Sequence, residues 1–558
     1  MVDVYLSFFL SNLHYGISAH LSKFFNYLTA IITKCYKRIL LQILRHSNIS
    51  CYNKKMNKKA LLFYVTLFLL ILAFSVTVNH FDYDLWARLI AGMGVIDGGH
   101  VLTQDFLSYT PVHTWWDHEW GAGVIFYACL KYFGPFSLII LQALMFFGIF
   151  FTASKVVKLR GNSSPYNILF YFFALMAVMT NLNTPIRCHM FSFLLFSIFI
   201  YILEKVRKIG SNKLLYIIPF MVILWNNIHG GVVSGLGLLG MYAVGEFLNK
   251  KPFAKYLATL GISLPLLFIN PWGWQYIKFL LMANTMPRPH IIEWWGLFSK
   301  YFLFKQIPFK IFMLGSVLAE GIFIGKEIKA SSLKDWYNKT DKVKFIVLLA
   351  TLYLAISHVK LLPFFAIASL CFVYEDFYKL IENIKLPIWK DRCVYTAILF
   401  ISIFTLSIKD ISIPVGMEIY PIKEVEFIKI NNIQGKLLTD FGYGSYVSYK
   451  LYPQNKIYMD GRYEEVYYDY MVLVLKEFFM VYPNWRQIFT YFMPDVMILE
   501  NTYPIYNTLK NGNEWELIYK GKQFGVFVPK NKVQNSYKKP TDDMEYYKNT
   551  LFSTGIKF

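Results

Sequence analysis

Charge is scarce in this chain. Only 16% of its 558 residues are Asp, Glu, Lys or Arg, against 56% hydrophobic and 19% aromatic. A soluble globular protein carries about 25% charged residues, so the composition excludes an ordinary soluble enzyme. Cysteine is scarce too: there are six, and none lies in 410–558. That segment holds no disulfide framework, even in an oxidising compartment. Several chemical signatures are missing. No G-x-x-x-x-G-K-[ST] points to an ATP motor, and no H-E-x-x-H or paired cysteines point to zinc. No G-x-S-x-G elbow presents a nucleophilic serine. Acidic residues within the apolar runs are few, the clearest being Glu320. An ion-driven transporter needs such groups near the bilayer midplane.

What the chain has is apolar runs, recurring along its first three quarters. Eleven read as membrane helices, at about 60–78, 135–154, 164–180, 190–204, 213–226, 230–248, 254–270, 305–325, 343–357, 361–376 and 392–409. The loops between them alternate in charge. Five loops, from Lys155–Arg160 to Lys379–Arg392, hold twenty Lys/Arg. The other set (80–118, 181–189, 225–231, 270–298 and 358–361) holds five. This asymmetry makes the first set cytoplasmic and the second external. It also accounts for the net charge of +21 without nucleic acid, which needs a continuous basic face. Trp120–Phe133 is too short to span and reads as a juxtamembrane or re-entrant helix. The N-terminus then lies in the cytoplasm, in a multi-pass protein of the cell membrane.

The fold class expected is a polytopic α-helical membrane protein with a small C-terminal extracytoplasmic α/β domain. Residues 1–55 read either as a cytoplasmic extension or as a mis-assigned start before Met56. Residues 56–409 form the membrane domain, with its long first outer loop at 80–118. In 410–530, Tyr, Asp, Glu and Asn rise and the apolar runs shorten to strand length. Residues 531–558 read as a loosely ordered polar tail.

The outer loops carry the chemistry. The first has Asp82, Asp84, Asp97, Asp105 and Asp117 against one Arg, Arg88, and ends in W-W-D-H-E-W. Asp82 and Asp84 follow directly on the first apolar run, where a carboxylate is costly unless it faces a cavity, a cation or a substrate. Aromatic faces stack on sugars, and carboxylates hold a hard cation or accept a proton. N-T-P-I-R-C-H brings Arg187. L-W-N-N-I-H-G-G brings Asn226, Asn227 and His229 to a tight turn. R-P-H-I-I-E-W brings Arg288, His290 and Glu293, and H-V-K-L-L-P brings Lys360. Each alone reads as a helix cap or headgroup anchor. Together on one face they form a cationic surface suited to a lipid phosphate. In the C-terminal domain, Y-M-D-G-R-Y-E-E reads as a strand ending in a turn, with Arg462 able to reach the same cleft.

These motifs resemble the bacterial multi-pass membrane proteins of the GT-C glycosyltransferase superfamily, in a poorly characterised branch. The matching residues are D-Y-D-L-W-A-R-L-I-A-G at 82–92, Q-D-F-L-S-Y-T at 104–110, H-E-W at 118–120, R-C-H-M-F-S-F at 187–193, L-W-N-N-I-H-G-G at 224–231, N-P-W-G at 270–273 and M-D-G-R at 459–462. Arg88 and Leu107 depart from the usual pattern and leave the sugar open. The resemblance implies a transferase using a polyprenyl-phosphate-linked sugar, with an essential Asp of the first outer loop as base or metal ligand. Asp82 and Asp84 match that signature, as catalytic residues or as ligands of a divalent cation (Mg or Mn). On this reading Arg187, His229, Arg288 and Lys360 hold the donor phosphate, while Asn226, Asn227, His290 and Arg462 contact substrate. The partners expected are a lipid-linked sugar donor, an envelope glycan, lipid or protein acceptor, and membrane lipids. Two alternatives stand beside it: a flippase or transporter of a lipid-linked or polar substrate, and a non-catalytic envelope scaffold.

Overall fold

The computed structural model describes residues 58–77, 82–161, 167–179, 186–289, 291–381, 388–408 and 417–558. Residues 1–55 and His290 lie outside them. Each of the eleven stretches read as a span holds a helix: Lys58–Thr77, Phe136–Leu159, Ile168–Met179, His189–Ile209, Ile217–Ile228, Val232–Leu248, Ala254–Ser263, Ile307–Ala330, Lys342–Ser357, Leu362–Phe372 and Ile388–Ile408. Among the described residues, four of these helices are long and apolar enough to cross a membrane. The count is five if Val359–Phe372 and Tyr374–Leu380, bent by 54°, make one span. A 20-residue helix rises about 30 Å, the thickness of the hydrocarbon core. The shorter helices have local causes. Ala254–Ser263 runs into Pro265, whose ring removes a donor, and the chain tightens into a 3-10 turn.

Where the Lys/Arg-rich loops meet the helix ends, two of the basic residues are not loop charges at all. Arg160 bonds Glu204 at 2.9 Å and Asp341 at 3.1 Å. Arg207 bonds Glu204 at 2.7 Å and Asp341 at 2.8 Å, and also reaches Glu246. This knot ties together the ends of four helices. Glu320 is likewise committed, pairing with Lys344 at 2.6 Å.

The C-terminal domain holds a five-stranded sheet ordered β2-β1-β3-β5-β4, with β1 Gly435–Leu438, β2 Asn455–Ile457, β3 Val496–Glu500, β4 Trp515–Lys520 and β5 Phe524–Pro529. β1 pairs in parallel with β2 and β3; β3 pairs antiparallel with β5, which closes a hairpin with β4. T-D-F-G-Y-G-S-Y is a strand-to-helix corner. Asp440 caps the Phe441–Leu451 helix by accepting from the Gly442 amide at 2.9 Å.

The first outer loop belongs physically to this domain. Ile457 donates to Leu107 and accepts from Tyr109, both at 3.0 Å, so residues 107–109 lengthen the sheet beyond β2. The Leu85–Ile96 helix is apolar, yet it packs beneath the domain. Its buried Trp86 contacts Tyr420, Tyr446, Tyr449 and Phe552 with ring centroids 5.0–5.8 Å apart. This helix crosses Trp120–Phe133 at Gly92 and Gly123. A Cβ on Gly92 would lie 2.3 Å from the Gly123 oxygen, so only glycine allows the approach. The expected loose tail is also built in. Met544–Thr550 is helical, and Tyr547, Leu551 and Ile556 are buried because apolar side chains recur among its polar ones.

Arg462 fastens the loop to the domain. Its side chain is 0% exposed and pairs with Asp105 at 2.6 Å and Asp460 at 2.9 Å. It also lies over the Trp115 ring, 4.5 Å from the centroid. Arg462→Met leaves two buried carboxylates without their cation and is expected to cost about 3–5 kcal/mol of unfolding free energy. A loss under about 1 kcal/mol, measured by denaturant unfolding of the purified protein, would show that the join lies elsewhere.

Glu424, on the helix Ile422–Ile430, gives a pH-dependent test. Burial pushes its carboxyl up to about 7 from 4.5. The folded state therefore binds more protons than the unfolded between those values. The associated stability is full below pH 4.5 and is lost as pH rises through 7. Glu424→Gln, which keeps the neutral form, is expected to be more stable than the parent by about 3 kcal/mol at pH 8 and little different near pH 4.5. An equal difference at both pH values contradicts this.

Candidate functional site

Asp82 and Asp84 open the Leu85–Ile96 helix. The Asp84 amide donates to Asp82 Oδ1 at 2.9 Å, so Asp82 shapes the turn. Asp84 occupies the cap position but its carboxylate makes no capping bond, which leaves it free for another task. Arg187, one turn before the His189–Ile209 helix, is held against Asp82 and Glu293 and lies 3.4 Å from Asp84 Oδ2. Glu293 in turn binds Lys360 at 2.9 Å. The strip Asp82–Arg187–Glu293–Lys360 lines a cleft of about 630 Å³. Its opposite wall comes from the C-terminal domain, at Asp440–Gly442 and Gly461–Glu465.

Behind the strip lies a buried charge cluster. Arg88 contacts Asp117, binds Glu465 at 2.7 Å and stands 3.5 Å from Glu119. His118 Nδ1 is 2.8 Å from Glu465. His229 Nε2 is 3.3 Å from Glu119, and its Nδ1 bonds Ser192 Oγ at 2.7 Å. Trp225 donates to the same Ser192 oxygen at 2.7 Å, which fixes the ring's second nitrogen. The Gly230-Gly231 pair permits this crowding. A Cβ on Gly230 would lie 2.9 Å from the His118 ring, and one on Gly231 would lie 2.4 Å from Ser192 Oγ.

The cluster separates its carboxyl groups. Desolvation in the cleft, reinforced by Glu119, pushes Asp84 up to about 8, although 38% of its side chain stays exposed to the opening. Burial also lifts Asp117 to about 7, against the pull of Arg88. Glu119 is equally buried, but His118, His229 and Arg88 outweigh that and hold it well below the usual carboxylate range. Glu465 sits at about 2, where Arg88 and His118 overcome its burial. Two neighbouring acids with opposed shifts are the usual mark of acid/base chemistry.

One group of metal-type donors exists among the described residues. His118, Glu119 and His229 each offer an atom, all within 4.8 Å of one another. Two imidazoles and a carboxylate suit a transition ion that accepts nitrogen beside oxygen, Mn among them, better than Mg, which keeps to oxygen ligands. Asp82, expected as a ligand, is already committed to Arg187.

Of the residues singled out in the sequence, Asp82, Asp84, Arg187 and Lys360 share the cleft, and His229 stands behind it. Arg462 lines it in part, but its guanidinium is spent on Asp105 and Asp460. Arg288 is turned to the cleft's Glu464 at 2.8 Å. Asn226 and Asn227 do not face the cleft. They bond the carbonyls of Leu267 and Ile269 and fasten one helix end to the next turn. Sequence reasoning passed over Glu465 and the Arg88 cluster, and used Glu293 only as a motif member. The acidic pair after D-G-R was the available signal.

No protein-family model matches the chain, and no curated protein matches it. Among solved structures it is similar to the apo crystal structure of the Archaeoglobus fulgidus oligosaccharyltransferase, at 8% identity and a TM-score of 0.50. The match covers 78% of this chain and 69% of that one. A second structure is the same organism's oligosaccharyltransferase AglB in complex with an inhibitory peptide and a dolichol-phosphate. There the identity is 8%, the TM-score 0.47, and the coverage 88% and 77%. The first likeness is one of fold alone.

Proposed function

We propose that this chain is a membrane glycosyltransferase that moves a sugar from a polyprenyl-phosphate-linked donor to an acceptor on the extracytoplasmic face. The proposal includes eleven spans, a cytoplasmic N-terminus and an external C-terminal domain. The observation that carries it is the convergence of Asp84, Arg187 and Lys360, far apart in sequence, on one cleft between membrane body and domain. The oligosaccharyltransferase fold supports it.

In the reaction, the acceptor oxygen forms a bond to the anomeric carbon as the bond from that carbon to the phosphate oxygen breaks. Asp84 takes the acceptor's proton, a role suited to a carboxyl tuned near the working pH. Arg187 and Lys360 take up the charge that gathers on the departing lipid phosphate. Asp82 and Glu293 hold those two cations in place. A divalent cation, if bound, would be held by His118, Glu119 and His229 and would supply further neutralisation of negative charge.

Asp84→Asn is expected to lower transfer about 10²–10⁴-fold in a membrane glycan-transfer assay with native lipid extract. Asp82→Asn, acting through Arg187, is expected to cost about tenfold. Unchanged product from well-folded Asp84→Asn protein refutes the assignment and favours transport or scaffolding.

Mn²⁺ titrated into the purified protein and followed by electron paramagnetic resonance is expected to bind. Glu119→Gln should weaken that binding at least about 100-fold, since it removes the only charged ligand. Equal binding by parent and variant would remove the metal from this site.

A further inference from the structure

On the flank of the C-terminal domain lies a second cleft, of about 450 Å³, lined by Tyr109, Lys436, Tyr470, Gln487, Tyr491 and Phe492 among others. Its size falls within the ~300–1,000 Å³ of small-ligand sites. Tyr470 and Tyr491 are 48% and 70% exposed, a large apolar investment for a surface without a ligand. The Tyr109 hydroxyl is buried in the wall with no hydrogen-bond partner. Lys436 lies 5.7 Å from the Tyr109 ring centroid and has no carboxylate within ion-pairing distance among the described residues. The sheet register sets Lys456 beside it.

We infer that this cleft binds an acidic oligosaccharide. A saccharide ring offers an apolar C–H face to an aromatic ring and a rim of hydroxyls to phenol, amide and ammonium groups. The cleft offers both kinds of surface side by side. The unpaired cation disfavours a purely apolar occupant, which would leave it desolvated without a partner. Lys436, the one cation in the lining, favours a carboxylate-bearing sugar over a neutral one. Tyr109 and Pro111 come from the outer loop whose Asp105 holds Arg462, so the site exists only when loop and domain are joined.

The test is saturation-transfer NMR on the full chain with tetragalacturonate as probe and chitotetraose as the neutral comparison. Transfer to tetragalacturonate is expected, with chitotetraose at least fivefold weaker by the charge argument. Tyr491→Ala, at an exposed position, should weaken binding about tenfold. Lys436→Gln should remove the preference for the acidic probe. Asp84→Asn should bind the probe like the parent, so failure of the transferase reading and failure of this one are distinguishable. No transfer, equal binding of the two probes, or full binding by Tyr491→Ala overturns the inference. So does transfer seen in detergent but lost in nanodiscs, which would mean that lipid covers the cleft.

Discussion

Arg88 is buried among Asp117, Glu119 and Glu465, and the geometry of the cleft depends on it. Three carboxylates brought so close in a medium of low dielectric repel each other strongly. One guanidinium, always charged and able to bond in several directions, makes the arrangement tenable. Because Arg88 follows Asp84 by one helical turn, the group that holds the cluster also sets the orientation of the acidic pair. Glu465 belongs to the C-terminal domain, so the same contact joins the two halves of the molecule.

The cleft is richer in acids than in bases. Asp82, Asp84, Glu119, Glu293, Asp440, Glu464 and Glu465 line it against Arg88, Arg187, Lys360 and Arg462. Most of these cations are already matched to a carboxylate within ion-pairing distance. On the proposed function, a lipid phosphate meets cations preorganised by acids rather than free ones. Its binding is a redistribution of existing pairs, which favours selectivity over raw attraction.

Much of the membrane body was legible in the sequence because helices that face protein on one side and lipid on the other keep long apolar runs. Each of the eleven runs holds a helix, although Ala254–Ser263 stops seven residues short of the end expected at 270. The strands β1, β2 and β3 were legible as short apolar runs bounded by polar residues and turns. What escaped was pairing at a distance. Arg160 and Arg207 read as loop charges, yet they are internal ion-pair partners, because nothing local reveals that Glu204, Glu246 and Asp341 converge on them. Arg462 read as a substrate contact, but its partner Asp105 lies more than 350 residues away in the chain. L-W-A-R-L-I-A-G-M-G-V-I looked like part of a wet loop, although its apolar face completes the core of the domain above.

That shared core has a consequence for how the molecule is made. The hydrophobic interior of the last 140 or so residues includes Leu85, Trp86, Leu89 and Phe126, which are synthesised early. Until the ribosome finishes, these side chains lack their final neighbours. Maturation therefore ends with the C-terminal segment closing on a stretch made about 300 residues before it, and a product truncated before that segment has no route to the closure.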